Sequence, residues 1–209
     1  MLGSDCARST AKRLLDLVGA TGLLVALAPV LALVAVCIWL DDGRPLFFTQ
    51  TRAGCEGAPF RIIKFRTLTR PPAAPTRPAA HTTRVGAILR RWALDEVPQL
   101  WNVLRGEMSL VGPRPTLPTQ VAQYGPHEQT RLQVPPGLTG WAQIHGRNAL
   151  SWPQRIDLDV WYVRNWSFWL DLRILLRTPV VLIRGTGVYG PDGQNPSFST
   201  PSTPPSPDA

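Results

Sequence analysis

The sequence predicts an α+β, membrane-associated fold: an N-terminal helical anchor broken at Pro29, a small strand pair, and short interfacial and amphipathic helices in one compact cytoplasmic domain. Three observations lead there. Leu17 to Leu40 form an uninterrupted run of 24 residues without a charge. Residues 46–51 (LFFTQT) and 60–65 (FRIIKF) are short, β-branched and aromatic runs on either side of a Gly-rich turn. Downstream, stretches with helical periodicity alternate with segments dense in Pro and Gly.

The apolar run is bounded by Lys12, Arg13 and Asp16 on one side and by Asp41 and Asp42 on the other. It exceeds the roughly 18 residues that mark a membrane segment. Pro29 stands near its centre and removes a backbone donor, so each half is about 12 residues, or about 18 Å of helix. Neither half crosses a hydrocarbon core about 30 Å thick. Basic residues (Arg8, Lys12, Arg13) precede the run and an arginine-rich domain follows it. A hairpin bent at Pro29 keeps both on one face, whereas a kinked span puts one of them outside. The sequence leaves both topologies open.

The chain has 209 residues, enough for one working domain besides the anchor. Its 22 basic against 14 acidic residues give a formal charge of +8, and Lys12 and Lys64 are the only lysines. Arginine's planar fork suits phosphate, so the charge fits anionic lipid, nucleic acid or a phosphorylated small substrate without choosing among them. The arginines are scattered without a recognition helix, so no nucleic-acid partner is expected. Cys6, Cys37 and Cys55 make no CxxC pair and predict no disulfide framework, in keeping with a reducing compartment. Three histidines without a His-x-x-x-His pair argue against a zinc hydrolase.

Beyond the strand pair, residues 69–83 read as a Pro/Ala/Thr-rich loop and 85–92 as a short helix. A second helix is expected from Asp95 to Arg105, with Asp95 as N-cap, Pro98 in its first turn and Gly106 as its stop. Residues 109–115 and 134–141 are turn-dense. Residues 151–165 read as a helix leading into an aromatic patch of Trp161, Tyr162, Trp166, Phe168 and Trp169. The charged, apolar stretch 170–183 suits either the membrane interface or core. The resulting division is an anchor at 1–45, a catalytic domain at 46–190 and a disordered Pro/Ser tail at 191–209.

The sharpest chemical feature is Asp95-Glu96 at a helix start, preceded by Arg90 and Arg91. Such a carboxylate pair amid arginines can hold Mg2+ and a phosphorylated ligand together. It can equally be a cap beside a surface acid. Lys64 and Arg66 share one face of their strand, and Arg66, Arg114 and Arg147 stand where short, stiff backbone can aim a guanidinium at phosphate.

Several ordered blocks then coincide: Lys12-Arg13-x-x-Asp16, Phe47-Phe48-x-Gln50-x-Arg52-x-Gly54, Lys64-Phe65-Arg66-Thr67, Leu94-Asp95-Glu96-Val97-Pro98-Gln99-Leu100-Trp101-Asn102-Val103, Met108 to Pro115, Pro136 to Trp141, and Asp157-x-Asp159-x-Trp161-Tyr162. Over about residues 12–185 the chain resembles the bacterial sugar transferases, the monotopic polyprenyl-phosphate phosphoglycosyl transferases that begin exopolysaccharide, O-antigen or glycoprotein glycan assembly. The resemblance implies an enzyme that moves a sugar 1-phosphate from a UDP-sugar to undecaprenyl phosphate with Mg2+, through a covalent aspartyl-phosphosugar, releasing UMP. It implies Asp95 as nucleophile and Glu96 as its support, the pair also serving the metal. Lys64, Arg66, Arg114, Arg147 and Asp157 become substrate contacts, and Pro29 the break of a re-entrant anchor. It further implies the cytoplasmic face of the bacterial inner membrane, membrane lipid as partner, and downstream glycosyltransferases that use the product. A non-enzymatic membrane adaptor for phosphorylated partners is the alternative from another class.

Overall fold

The computed structural model describes residue 6 and residues 9–69 and 81–185. The expected tail and most of the Pro-rich loop lie outside the described residues.

Helix α1 (Thr10–Asp42) is capped by Ser9, whose hydroxyl accepts the Lys12 amide at 3.1 Å. Its 33 residues run through Pro29 as a single element, where two helices joined by a break were expected. Pro29 is itself exposed, and one missing amide does not stop a long helix whose other hydrogen bonds persist. α1 is long and apolar enough to cross a membrane. Leu14, Val25, Leu33 and Leu40 are more than half exposed, leaving an apolar belt consistent with membrane association.

Strands β1 (Phe47–Ala53) and β2 (Pro59–Phe65) pair antiparallel, from Phe47 opposite Phe65 to Ala53 opposite Pro59. This is the expected strand pair. Helix α2 (Arg84–Arg91) begins at Thr83, which accepts the Gly86 amide at 2.9 Å. The expected Asp95-capped helix takes another form. Ala93 turns left-handed (φ 53°), a 3-10 turn covers Leu94–Gln99, and only then does α3 (Leu100–Arg105) begin. Pro98 explains the tighter first segment, since it has no amide to donate within a helix. Gly106 (φ 82°) ends α3 as expected.

The turn-dense segments contain a feature the sequence reading lacked: β3 (Ser109–Val111) lies parallel to β4 (Gly137–Thr139). A side chain on Gly137 would collide with the Gly112 backbone, so glycine permits the close approach. Single turns α4 (Pro118–Val121), α5 (Pro126–Gln129) and α6 (Trp141–Ile144) follow. The last helices are α7 (Trp152–Arg164), near its expected bounds, and α8 (Phe168–Arg184).

Two clusters hold these parts together. The main core combines Ile62, Leu100, Val103, Met108, Leu110, Val111, Tyr162 and Ile174 with Ala20 of the anchor. The second joins Val34 and Ile38 of the anchor to Phe65 and Leu89. Both ends of α1 therefore pack on the same body. Polar contacts strengthen the first attachment. The buried Lys12 ammonium meets Asp171 at 2.5 Å and donates to the Val111 carbonyl at 2.9 Å. Asp171 also accepts from the Tyr162 hydroxyl at 2.7 Å and the Trp166 indole at 3.1 Å. Arg13 donates to the carbonyls of Val103 and Leu104, and Asp16 accepts from Ser109 and the Leu110 amide. At the other end Arg66 binds Asp42 at 2.5 Å and the carbonyls of Asp42 and Gly43.

Cys6 and Cys55 are disulfide-linked across 49 residues, which corrects the expectation of no disulfide. Their spacing carried no sign of the contact because β1 and its turn bring Cys55 back to the start of the anchor.

Lys12→Met should destabilise the protein by about 3–5 kcal/mol, because it leaves the Asp171 carboxylate buried without its cation. Denaturant unfolding in detergent checks this. Lys12→Met combined with Asp171→Leu should recover part of the loss.

Candidate active site

A cavity of about 430 Å3 opens between β1–β2, the 3-10 turn, the loop after β3 and the α6–α7 region. Asp95 and Glu96 both line it. The left-handed Ala93 starts the turn that presents them, and the Glu96 amide bonds back to the Ala93 carbonyl at 3.2 Å. Asn102 fixes this region against β2: it accepts the Ile63 amide at 3.2 Å and donates to the Arg61 carbonyl at 2.8 Å.

The two adjacent acids have different surroundings. Glu96 receives Lys64 at 2.7 Å and a two-pronged contact from Arg114, at 3.0 and 2.5 Å. Burial would raise its pKa, but Arg114 and Lys64 outweigh that and hold it well below the usual carboxylate range. Asp95 makes no hydrogen bond or ion pair among the described residues. Burial, then the adjacent Glu96 charge, pushes its pKa up to about 6 against the pull of Lys64, Arg114 and Arg90. Two neighbouring carboxylates thus acquire separate tasks: Glu96 is a fixed anion that organises cations, and Asp95 is an unengaged carboxylate.

The Arg114 backbone is stiffened by Pro113 and Pro115, and its carbonyl accepts from Arg131 at 3.0 Å. Arg131 is in turn held by Asp159 at 2.5 Å and by the Tyr124 hydroxyl at 2.8 Å. Eight basic and three acidic side chains line the cavity. Lys64 and Arg114 answer to Glu96, Arg131 to Asp159, and Arg66 to Asp42. Arg52, Arg90, Arg147 and Arg155 have no carboxylate partner among the described residues. Burial first, and then the Arg114 charge, lower the pKa values of Arg52, Arg147 and Arg155. Such a surplus of cations suits a ligand carrying several negative charges.

Of the residues singled out in the sequence, Lys64, Arg66, Asp95, Glu96, Arg114 and Arg147 line the cavity. Arg66 is chiefly bound to the end of α1. Asp157 is not among the lining residues: it is exposed and pairs with His127 at 2.9 Å. Asp159, two residues on, faces the cavity instead. The sequence reading also passed over Arg52, Arg131, Gln143 and Arg155 as site residues. For Mg2+, Asp95 and Glu96 are hard oxygen donors, and no cluster of three or more acidic, His or Cys residues occurs among the described residues. That donor set fits a cation which takes its remaining ligands from phosphate and water.

The family model described as bacterial sugar transferase matches residues 7–185. An uncharacterised sugar transferase of Bacillus subtilis, EpsL, is 44% identical over 180 residues, 85% of this chain and 89% of the relative. A UDP-glucose:undecaprenyl-phosphate glucose-1-phosphate transferase of Caulobacter vibrioides is 44% identical over 191 residues, 85% of this chain and 72% of the relative. A UDP-galactose-lipid carrier transferase of Erwinia amylovora is 37% identical over 198 residues, 85% of this chain but 41% of that longer protein.

Asp95 should take up a proton as pH falls through about 6. Glu96→Gln should move that midpoint lower, because it removes a neighbouring anion and frees Lys64 and Arg114 to act on Asp95. Carbodiimide labelling of protonated Asp95, followed by peptide mass against pH, measures both.

Proposed function

Because the chain belongs to the bacterial sugar transferase family, we propose that it transfers a sugar 1-phosphate from a UDP-sugar to undecaprenyl phosphate, as the first membrane step of surface glycan synthesis. The observation that carries this reading is the unengaged Asp95 beside a tightly held Glu96 in a cavity with surplus cations.

The reaction proceeds in two displacements. An Asp95 oxygen attacks the phosphorus that bears the sugar. The bond to the bridging oxygen breaks, its electron pair leaves with UMP, and the phosphosugar stays on the carboxylate. A phosphate oxygen of undecaprenyl phosphate then attacks the same phosphorus and expels the Asp95 carboxylate, giving undecaprenyl-diphospho-sugar. Above pH 6 Asp95 is ionised and ready to attack, while its raised pKa preserves its basicity. Glu96 keeps Lys64 and Arg114 aimed at the transferred phosphoryl group. Bound Mg2+, with Asp95 and Glu96 as its protein oxygens, would offset diphosphate charge. Downstream glycosyltransferases would extend the product.

The acceptor's tail stays in lipid, so the cavity must stand at the membrane surface. The exposed apolar belt of α1 supports that location. For the topology, we favour the re-entrant arrangement with both ends on the cytoplasmic face of the inner membrane. Its support is that Lys12, Arg13 and Asp16 at one end of α1, and Val34, Ile38 and Asp42 at the other, all contact the same body. A helix that crossed the bilayer would carry one of these ends away from its partners.

Two experiments test these readings. With a panel of UDP-sugars, Mg2+ and no acceptor, the protein should gain the mass of one phosphosugar on Asp95 and lose it when undecaprenyl phosphate is added. Asp95→Asn should form no adduct; wild-type turnover by that variant overturns the nucleophile assignment. For topology, single cysteines at Thr10 and Arg44, in a background without Cys6, Cys37 and Cys55, should both react in inside-out vesicles and neither in intact cells. Labelling on opposite faces restores the spanning helix.

A further inference from the structure

Besides the Asp95-Glu96 pair, two unlike parts of the fold line the cavity, taken here as its two ends. One end is built from β1, β2 and the segment after them, and includes Phe48, Phe65 and Leu68. It adjoins the anchor, since Phe65 packs with Val34 and Ile38, and Arg66 binds Asp42. The other end is built from α6, the 3-10 turn Arg147–Ala149 and the start of α7.

This second end has unfilled hydrogen-bonding capacity. Both amide atoms of Gln143, one guanidinium nitrogen of Arg147 and one of Arg155 are buried without a hydrogen-bond partner among the described residues, as are Nε of Arg52 and of Arg66 and one Asp159 oxygen elsewhere in the lining. A buried polar atom left unpaired costs free energy, so three such side chains around one cavity are best explained by a ligand that completes them. Backbone geometry points the same way. Arg147 follows Gly146 (φ 155°) and is itself left-handed (φ 52°), a conformation uncommon for arginine. Arg155 is oriented by its own bond to the Leu150 carbonyl at 3.1 Å and lies over the Trp152 ring, with its centre 5.6 Å from the ring centroid.

We propose that this end holds the nucleotide half of the donor, with Arg147 and Arg155 on the diphosphate and Gln143 on the nucleoside. The polyprenyl phosphate then enters from the opposite, anchor-side end. The assignment rests on the donor being a UDP-sugar. An amide presents one donor beside one acceptor, which matches the paired groups on a pyrimidine edge or a ribose. Neither guanidinium group forms a salt bridge with a carboxylate among the described residues, which suits a diphosphate. It follows that UMP departs on the side away from the entering lipid, so the two substrates need not pass each other.

UMP binding to the detergent-solubilised full chain tests this directly, by titration calorimetry. Arg155→Gln and Gln143→Ala should each weaken UMP binding about 10-fold or more, and Arg155→Lys should recover part of it. A far-ultraviolet circular dichroism spectrum and a melting temperature matching wild type verify that both variants are folded. Unchanged UMP affinity in the folded variants overturns the assignment, as does a wild-type chain that binds no UMP. If UMP binds as expected but no adduct ever forms, the nucleotide end stands and the covalent route fails.

Discussion

The site depends on one carboxylate meeting two cations. Glu96 draws Lys64 from β2 and Arg114 from the loop after β3 into a single cluster. These groups come from distant parts of the chain, and without the shared anion Lys64 and Arg114 would repel each other across the same cavity. Burial, and then the Glu96 charge, leave neighbouring Asp95 with basicity to spare. The difference between the two acids arises from their partners, since their chemistry and position are almost the same.

Around that cluster, the fold supplies rigidity in layers. Asn102 spaces the dyad from β2, while Arg131 supports the Arg114 backbone and is itself anchored by Asp159. The anchor contributes as well. Ala20 is fully buried in the main core, and Lys12 is enclosed with Asp171 and Tyr162. Burial and the Asp171 charge raise the Tyr162 pKa, so its hydroxyl remains a donor in this network. Membrane segment and cavity are therefore parts of one structure, which is a physical requirement if a soluble donor and a lipid acceptor must meet at a single carboxylate.

Much of this was legible in the sequence, for identifiable reasons. Apolar length marked α1, β-branched alternation marked the strand pair, and Gly106 marked the end of α3. Other features depend on contacts that local patterns do not encode. Asp95 looked like a helix cap because a carboxylate preceded a periodic run, yet Ala93 turns the chain earlier and Pro98 tightens it into a 3-10 turn. Asp157 and Asp159 read alike, but two helical residues differ by about 200°, which puts one at the surface with His127 and the other in the cavity with Arg131. The parallel pairing of β3 with β4 spans too few residues to leave a periodic trace. Arg131 and Arg155 were passed over because nothing near them in sequence distinguishes them from the other arginines.

The bond between Lys12 and Asp171 joins residues 159 positions apart. During synthesis Lys12 leaves the ribosome well before its counter-ion, which lies in the last helix of the domain. Until then the ammonium has to wait among water and lipid headgroups, so α1 reaches its final seat only after the rest of the domain has arrived. Contacts of such long sequence separation form late and slowly. Seating of α1 thus waits for the segment that carries Asp171, with the membrane holding the helix in place meanwhile.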